Sequence, residues 1–303
     1  MSNRFEYFIR SARNTLSSAR QVCPNCGAPA GEVVARKYFV TVLRRCGRCL
    51  LLYRAPTDDP AWNEHFYNAR YAQGFTTDMP TEVDLDAMKA KGFSGTPKDY
   101  QKYIKILQAV GVEPGALLFD FGCSWGYGSW QLARAGYEVW ASEISRSRRA
   151  YAAENLDIRV VEDIDSFARD KAKMFDCFFS AHVLEHVPSP NAVISLARKL
   201  LKPGGLFVAI TPNGSMSYRD ARPRSWMRLW GEVHPNFLDE AFYDSAFEKE
   251  PMLVFSRDGE QGVPTSDATQ HFFEGQRVIL RLDRPELVCI ARLNDDPLPQ
   301  VQS

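Results

Sequence analysis

Two carboxylates, Asp120 and Glu143, bracket a glycine-rich stretch in LLFDFGCSWGYGSWQLARAGYEVWASE, residues 117–143. An apolar run, Leu117 to Phe119, ends at Asp120, and a turn carrying Gly122, Gly126 and Gly128 follows. Glu143 closes a second apolar run, Val139 to Ala141. A carboxylate at that place can accept two hydrogen bonds from a ribose diol. Dinucleotide loops space their glycines as G-x-G-x-x-G, so that backbone amides approach a pyrophosphate. The order here is D-x-G-x-x-x-G-x-G, with an acid ahead of the loop, which suits a positively charged ligand better than a phosphate. The chemistry on offer is capture of a cationic cofactor that contains a nucleoside.

Four cysteines form a second chemical set. Cys23 and Cys26 lie in CPNCG, Cys46 and Cys49 in CGRC. Two C-x-x-C knuckles at this separation can place four thiolates tetrahedrally around one zinc ion. Gly27 and Gly47 suit the tight turns, and GEVVARKYFVTVLRR between the pairs reads as strand, so a zinc ribbon is expected. With four sulfur ligands the site is closed, and its role is structural. Cys123, Cys177 and Cys289 read as small core or loop residues.

The third set is FDCFFSAHVLEHVPSP. Phe175 to Ser180 is the short apolar run of a strand buried in a parallel sheet. His182, Glu185 and His186 follow at its C-terminal end, the edge where open α/β sheets bind ligands. HVLEH reads as one helical turn. The spacing shows two histidines and no third metal ligand, so a metal is not expected here. Residues 213–236 read as a long irregular insertion holding Arg219, Arg222, Arg224, Arg228, Trp226, Trp230 and His234.

The elements that must position these residues alternate strand and helix, which predicts an α/β, doubly wound, mostly parallel sheet with helices on both faces. Ile158 to Val161 is a third strand, and Asp163 after it can accept from an adenine amino group or cap the helix that Asp-x-x-Ser announces. A helix over 190–201, stopped by LKPGG, leads to the strand Leu206 to Ile210. RVILRLDRPELVCIARL reads as an antiparallel C-terminal hairpin turning at Asp283 to Glu286. Ahead of the sheet, 1–20 reads as an amphipathic helix packing on the protein through Phe5, Phe8, Ile9, Ala12 and Leu16. Residues 21–73 read as the ribbon head with an aromatic segment (Tyr53, Trp62, His65, Phe66, Tyr67, Tyr71), 74–97 as a linker with one short helix, and 98–303 as the catalytic domain.

Net charge is zero, and nothing global points to nucleic acid. Residues 1–54, however, carry ten Arg or Lys against two acids. No apolar run reaches the roughly 20 residues of a membrane span, and seven cysteines in a chain of this size imply no disulfide framework. The cytoplasm is the expected location.

DFGCSWGYG, SEIS, VEDI, FFSAHVLEHVPSP, LKPGG and TPN together resemble the Rossmann-like S-adenosylmethionine (SAM) methyltransferases of the ubiquinone-biosynthesis, type 11/23 group. With the ribbon in front, the chain looks like zinc-ribbon methyltransferases of sugar and polysaccharide biosynthesis. The second knuckle is followed by Leu50, where that group usually has glycine. The resemblance implies that Asp120, Gly122, Gly126 and Gly128 cradle the methionine end of SAM, with Glu143 on the ribose and Asp163 on the adenine. It implies a cofactor lining completed by Phe121, Cys123, Ile144, Ile164, Ser180 and Ala181. His234 in EVHPNF looks like the group's histidine after the post-strand loop.

The activity so implied is SAM-dependent O-methylation of a small-molecule or glycan hydroxyl. His182 or His234 is the expected general base, with His186 and Glu185 orienting it. The alternatives are C- or N-methylation of a sugar nucleotide or other metabolite, or RNA methylation using the basic head. SAM and one structural Zn2+ are the expected cofactors, and nucleic acid is the less expected partner.

Overall fold

The computed structural model describes residues 3–58, 78–259 and 262–294. The main sheet has eight strands: β4 (Leu117–Phe121), β5 (Glu138–Ser142), β6 (Arg159–Val161), β7 (Phe175–Ala181), β8 (Leu201–Pro212), β10 (Met252–Arg257), β11 (Arg277–Ile279) and β12 (Glu286–Arg292). Their order is β11-β10-β12-β8-β7-β4-β5-β6. β8, β7, β4, β5 and β6 run parallel. Chain order reverses beside β4, so the loops after β4 and β7 meet at the edge where such sheets bind ligands.

The strand sequences explain the layering. Successive side chains alternate across the sheet. Leu118, Cys177, Phe179, Val208 and Ile210 pack under the helix Gln101–Ala109, whereas Phe119, Phe178, Phe207 and Ala209 face the other layer. Phe178 stacks on Phe119, Phe121 and Phe207 with ring centres 5.5–5.8 Å apart. The helix Pro190–Leu200 starts where Ser189 accepts the Ala192 amide and proline occupies the first turn. LKPGG forms a bulge: β7 pairs Phe175 with Leu201 but Cys177 with Leu206.

The C-terminal strands depart from the expected hairpin. β12 runs antiparallel, but its partners are β8 and β10. β11 pairs parallel with β10 on the far edge. Slotting β12 between β8 and β10 buries Val288, Cys289 and Ile290 on both faces, which an edge hairpin would not achieve.

A second sheet, β1 (Glu32–Lys37), β2 (Thr41–Arg45), β3 (Leu52–Ala55) and β9 (Asn236–Phe237), carries the cysteine knuckles. Its fourth strand comes from the insertion after β8, through the pairs Leu52 with Phe237 and Tyr53 with Asn236. The insertion is therefore not irregular. It folds into the helices Met216–Ala221 and Pro223–Arg228 and then β9. Trp226 and Trp230 point inward and join Leu43, Leu52, Tyr218 and Phe237 in one apolar cluster. Arg222, Arg224 and Arg228 stay exposed. The tryptophans bind the ribbon to the main domain, so they are not free to stack on a planar acceptor. Trp226 is fully buried and donates from Nε1 to the Gly214 carbonyl at 3.0 Å. Trp226→Ala is expected to cost about 3–5 kcal/mol. A melt should then show Tm lower by roughly 10 °C, and an unchanged Tm would refute this joint.

The N-terminal helix Asn3–Thr15 also presents a different face from the one expected. Tyr7 and Ser11 are buried, whereas Phe8, Ile9 and Leu16 are exposed. The seam is polar: the Tyr7 and Thr41 hydroxyls meet at 3.1 Å, Arg10 pairs with Asp58 and Glu232, and Asn14 donates to the Thr57 carbonyl. Within the segment read as a linker, the helix Glu82–Ala90 leads to Phe93, which is fully buried against Trp125 and Trp130. Trp62, His65, Phe66, Tyr67 and Tyr71 of the aromatic segment lie outside the described residues. Among the described residues no helix is long and apolar enough to cross a membrane.

Candidate functional site

β4 delivers Asp120 to the sheet edge, where it is 2% exposed and accepts from the Ser129 hydroxyl at 2.6 Å. Burial raises its carboxyl to about 7; Ser129 opposes the shift and the nearby Glu143 adds to it. The chain then turns at Gly122, whose φ is +83°. A Cβ there would lie 2.4 Å from Val183, so the turn after β7 rests directly on the glycine loop. A Cβ at Gly128 would enter the Tyr100 ring at 2.3 Å, which lets the loop helix seat against the preceding helix. Cys123 is buried and Phe121 partly so.

Glu143, at the tip of β5, accepts the Ser124 amide on one oxygen (3.0 Å) and the Ser145 amide on the other (2.8 Å). Burial pushes its pKa up against these amides and the neighbouring Arg148 and Arg149. Each carboxylate oxygen has a further lone pair for a ligand hydroxyl. Ile144 beside it is exposed. Asp163 lies at the tip of β6, exposed, with Oδ1 accepting the Asp165 and Ser166 amides as a helix cap; Ile164 opens that helix. Ser180 and Ala181 close β7 beside the loop, with the Ser180 hydroxyl 3.4 Å from the Phe121 carbonyl.

HVLEH is not a helical turn. His182 adopts a left-handed backbone, φ +58°, and donates its amide to the Ile210 carbonyl. A non-glycine residue held there stores about 1–3 kcal/mol of strain, a feature that clusters at functional sites. The turn sends its two histidines to different partners. His182 Nε2 lies 3.2 Å from both the Tyr103 hydroxyl and Glu286 Oε1, and its Nδ1 lies 3.5 Å from Glu185. Burial lowers the His182 pKa, but the two carboxylates outweigh it and raise the ring to about 9. This flanked imidazole is a cation near neutral pH, which fits poorly with the base role expected of it. Its side chain is 41% exposed.

His186 turns inward to His234, with ring centres 4.8 Å apart. His186 donates from Nδ1 to the Val233 carbonyl and His234 from Nδ1 to the Leu229 carbonyl, both at 2.7 Å. Glu185 is 1% exposed, and among the described residues neither of its oxygens has a hydrogen-bond partner. Glu185, His186 and His234 bring one ligand atom each to within 4.8 Å of one another. The third potential ligand that the sequence spacing lacks is thus His234, carried in from 48 positions downstream by the insertion.

Glu286, Tyr103, Arg257 and Lys102 were not singled out by spacing. Arg257, 1% exposed, holds Glu286 Oε2 at 2.6 Å, and Lys102 approaches Oε1 at 3.6 Å. Burial alone would raise Glu286, but His182, Lys102 and Arg257 bring it down to about 2. The one available signal was position: Glu286 opens β12 just after the D-R-P turn.

The four cysteines of the ribbon converge into one cluster. Sγ of Cys23 and Cys49 are 3.7 Å apart and those of Cys26 and Cys46 3.5 Å. Tetrahedral zinc with bonds of 2.3 Å needs sulfurs about 3.8 Å apart, so the set fits. Gly27 and Leu50 follow their knuckles with φ of +68° and +57°. Leu50 therefore holds a glycine conformation without being glycine. Asn25 ties the first knuckle to the main domain, donating to Cys49 Sγ and accepting from Ser189 and the Asn191 amide.

A twisted parallel sheet with helices on both faces, a glycine loop after its first strand and acids at the next two tips defines a nucleoside-cofactor enzyme of the doubly wound class. A family model described as a methyltransferase domain matches residues 97–250, and the chain belongs to that family. The ubiquinone biosynthesis O-methyltransferase of Xanthomonas axonopodis pv. citri (strain 306) is 36% identical over 110 residues, 34% of this chain and 46% of that protein. The enzyme of the same description from Xanthomonas oryzae pv. oryzae (strain PXO99A) is 35% identical over 106 residues, 33% and 44% respectively. The chain thus spans about half the length of the relatives it matches. Among solved structures, magnesium protoporphyrin IX methyltransferase from Synechocystis PCC 6803 with bound SAH is similar with a TM-score of 0.46 and 18% identity. That likeness covers 78% of this chain and 100% of the other.

Proposed function

We propose that the protein transfers the methyl group of SAM to a hydroxyl of a small molecule or glycan. The observation that carries this reading is the contact of Val183 with Gly122, which sets the histidine-bearing turn against the cofactor loop. Asp120, Phe121, Gly122, Cys123, Gly126 and Gly128 would hold the methionine end, with Ser180 and Ala181 closing that side. Glu143 would hold the ribose; Ile144, Asp163 and Ile164 would flank the adenine. The sulfonium supplies an activated methyl, so the protein must align an acceptor oxygen with it and take a proton. The methyl carbon would bond to the acceptor oxygen, the sulfur would keep the electron pair as a thioether, and the acceptor's proton would be drawn off at the Glu185–His186–His234 cluster. His234, which resembles the group's histidine and lies in this cluster, is the residue this reading puts on the acceptor side. His234→Ala is expected to lower kcat roughly a hundredfold or more in a turnover assay with an accepted hydroxyl substrate. Unimpaired turnover would remove the cluster from the chemistry.

Cation binding favours the ionised form of Asp120. With its carboxyl near 7 in the free protein, SAM affinity should be full above that pH and fall as pH drops through it. Linkage gives a rise in Kd of about fivefold between pH 7 and pH 6. Calorimetric titration across that range checks the sign; a flat profile would show that Asp120 does not face the cation.

The ribbon cysteines are read as holding one structural Zn2+. The RNA alternative is the less supported reading, because part of the head's positive charge is engaged within the protein. Arg44 donates to the Gly31 carbonyl, Arg45 pairs with Asp239, Arg54 pairs with Asp58, and Lys37 lies over the Trp230 ring.

A further inference from the structure

We propose that Glu185, His186 and His234 form a second metal site, separate from the cysteines, for a divalent transition cation of borderline softness such as Zn2+, Fe2+ or Co2+. Two imidazoles and one carboxylate are a donor set for such ions rather than for Mg2+ or Ca2+, which take oxygens.

Three features of the cluster are those of a built site. First, the tautomers are fixed. A carbonyl only accepts, so the Nδ1 atoms facing Val233 and Leu229 carry the protons. In the neutral rings the lone pair then sits on Nε2. Backbone carbonyls in this role are the usual outer partners of ligating histidines. Second, a buried carboxylate ordinarily takes hydrogen bonds, and leaving one without them costs several kcal/mol. Glu185 has only long contacts, to imidazole nitrogens at 3.5 Å (His182, an ion pair when that ring is protonated) and 3.8 Å (His186), and no hydrogen bond on either oxygen among the described residues. A cation between these atoms would satisfy it. Third, the frame is rigid. Asn236 of β9 donates its amide to the Glu185 carbonyl at 3.1 Å and its side chain to the Val187 carbonyl at 2.6 Å.

Ligand atoms within 4.8 Å of one another need to move inward by at most about 0.7 Å each to reach bonds of about 2.0–2.2 Å. Three protein ligands leave positions open, as catalytic rather than structural sites do. On the methyl-transfer reading, on which this role rests, a coordinated acceptor hydroxyl would lose its proton more readily, and the imidazoles would serve as ligands instead of accepting it.

The test is titration of Co2+ into the full chain after its cysteines have been filled with one equivalent of Zn2+. The expected result is one further equivalent whose visible bands lack sulfur-to-metal charge transfer. His234→Ala and Glu185→Gln should each weaken it by at least about a hundredfold, since even outer-shell losses cost 10–100-fold. Glu185→Gln keeps the side chain's shape should His234→Ala fail to fold. His271→Ala, on the surface helix Ser266–Phe273, should leave it unchanged. Absence of a second equivalent, sulfur bands in it, or indifference to both substitutions would overturn the site. Binding as described without any methyl transfer would leave the site standing and remove the functional reading instead.

Discussion

Cys49→Ser is expected to remove one metal equivalent per chain, lower Tm and reduce methyl transfer by more than a hundredfold, while SAM affinity changes less than threefold. The ribbon is too small to close a core of its own, and domains of that scale usually depend on a metal or crosslink. A structural zinc supplies about 10–16 kcal/mol of apparent folding free energy to such units. Losing one of four thiolates forfeits much of it. The effect then travels through the fold itself: β3 pairs with β9, and β9 holds the turn that carries Glu185 and His186. Leu43 and Leu52 of the ribbon pack on the tryptophans of the insertion that delivers His234. The glycine loop, by contrast, is held by β4, β5 and the helix Tyr127–Arg134, none of which belongs to the ribbon sheet. Metal counting, thermal melts, SAM titration and turnover on one preparation read all four effects. A variant that loses its metal yet keeps full turnover would show that the ribbon is an appendage.

Glu143→Ala is expected to weaken SAM binding by at least about 3 kcal/mol, roughly a hundredfold in Kd. Two hydrogen bonds from a ribose diol to a charged acceptor contribute about 1.5–3 kcal/mol each. The same carboxylate fixes the Ser124 and Ser145 amides, so its loss also loosens the loop. Calorimetry with SAM measures the sum. An analogue lacking one ribose hydroxyl separates the parts: it should bind the parent more weakly than SAM does, yet show little difference from SAM on the variant. A Kd within threefold of the parent would take Glu143 off the ribose.

The cofactor loop and the cysteine knuckles were legible in the sequence because each is a short-range device. Asp120, Gly122, Gly126 and Gly128 sit within nine residues, and their spacing dictates one turn whatever surrounds it. Gly122 needs its positive φ locally, and each C-x-x-C pair closes its own knuckle. The parallel strands were readable for a similar reason: runs such as FDCFF are buried on both faces and so are apolar throughout.

What the sequence could not decide was which distant residues meet. Periodicity records how a segment faces something, never what it faces. Phe8, Ile9 and Leu16 share a stripe on the first helix, yet the polar face of Tyr7 and Ser11 is the one that packs, because Thr41, Thr57, Asp58 and Glu232 offer it partners. β12 looked like half of a hairpin because its neighbour in sequence was β11, and only the burial available between β8 and β10 moved it inward. The sequence alone therefore determined the fold class, the glycine loop and the cysteine cluster. Tertiary structure alone decided that His234 joins Glu185 and His186, and that His182 bridges Glu185 to Glu286 and Tyr103. The reason is physical: local spacing fixes backbone conformation, whereas convergence across 48 or 104 positions depends on strand order and on which surfaces bury one another.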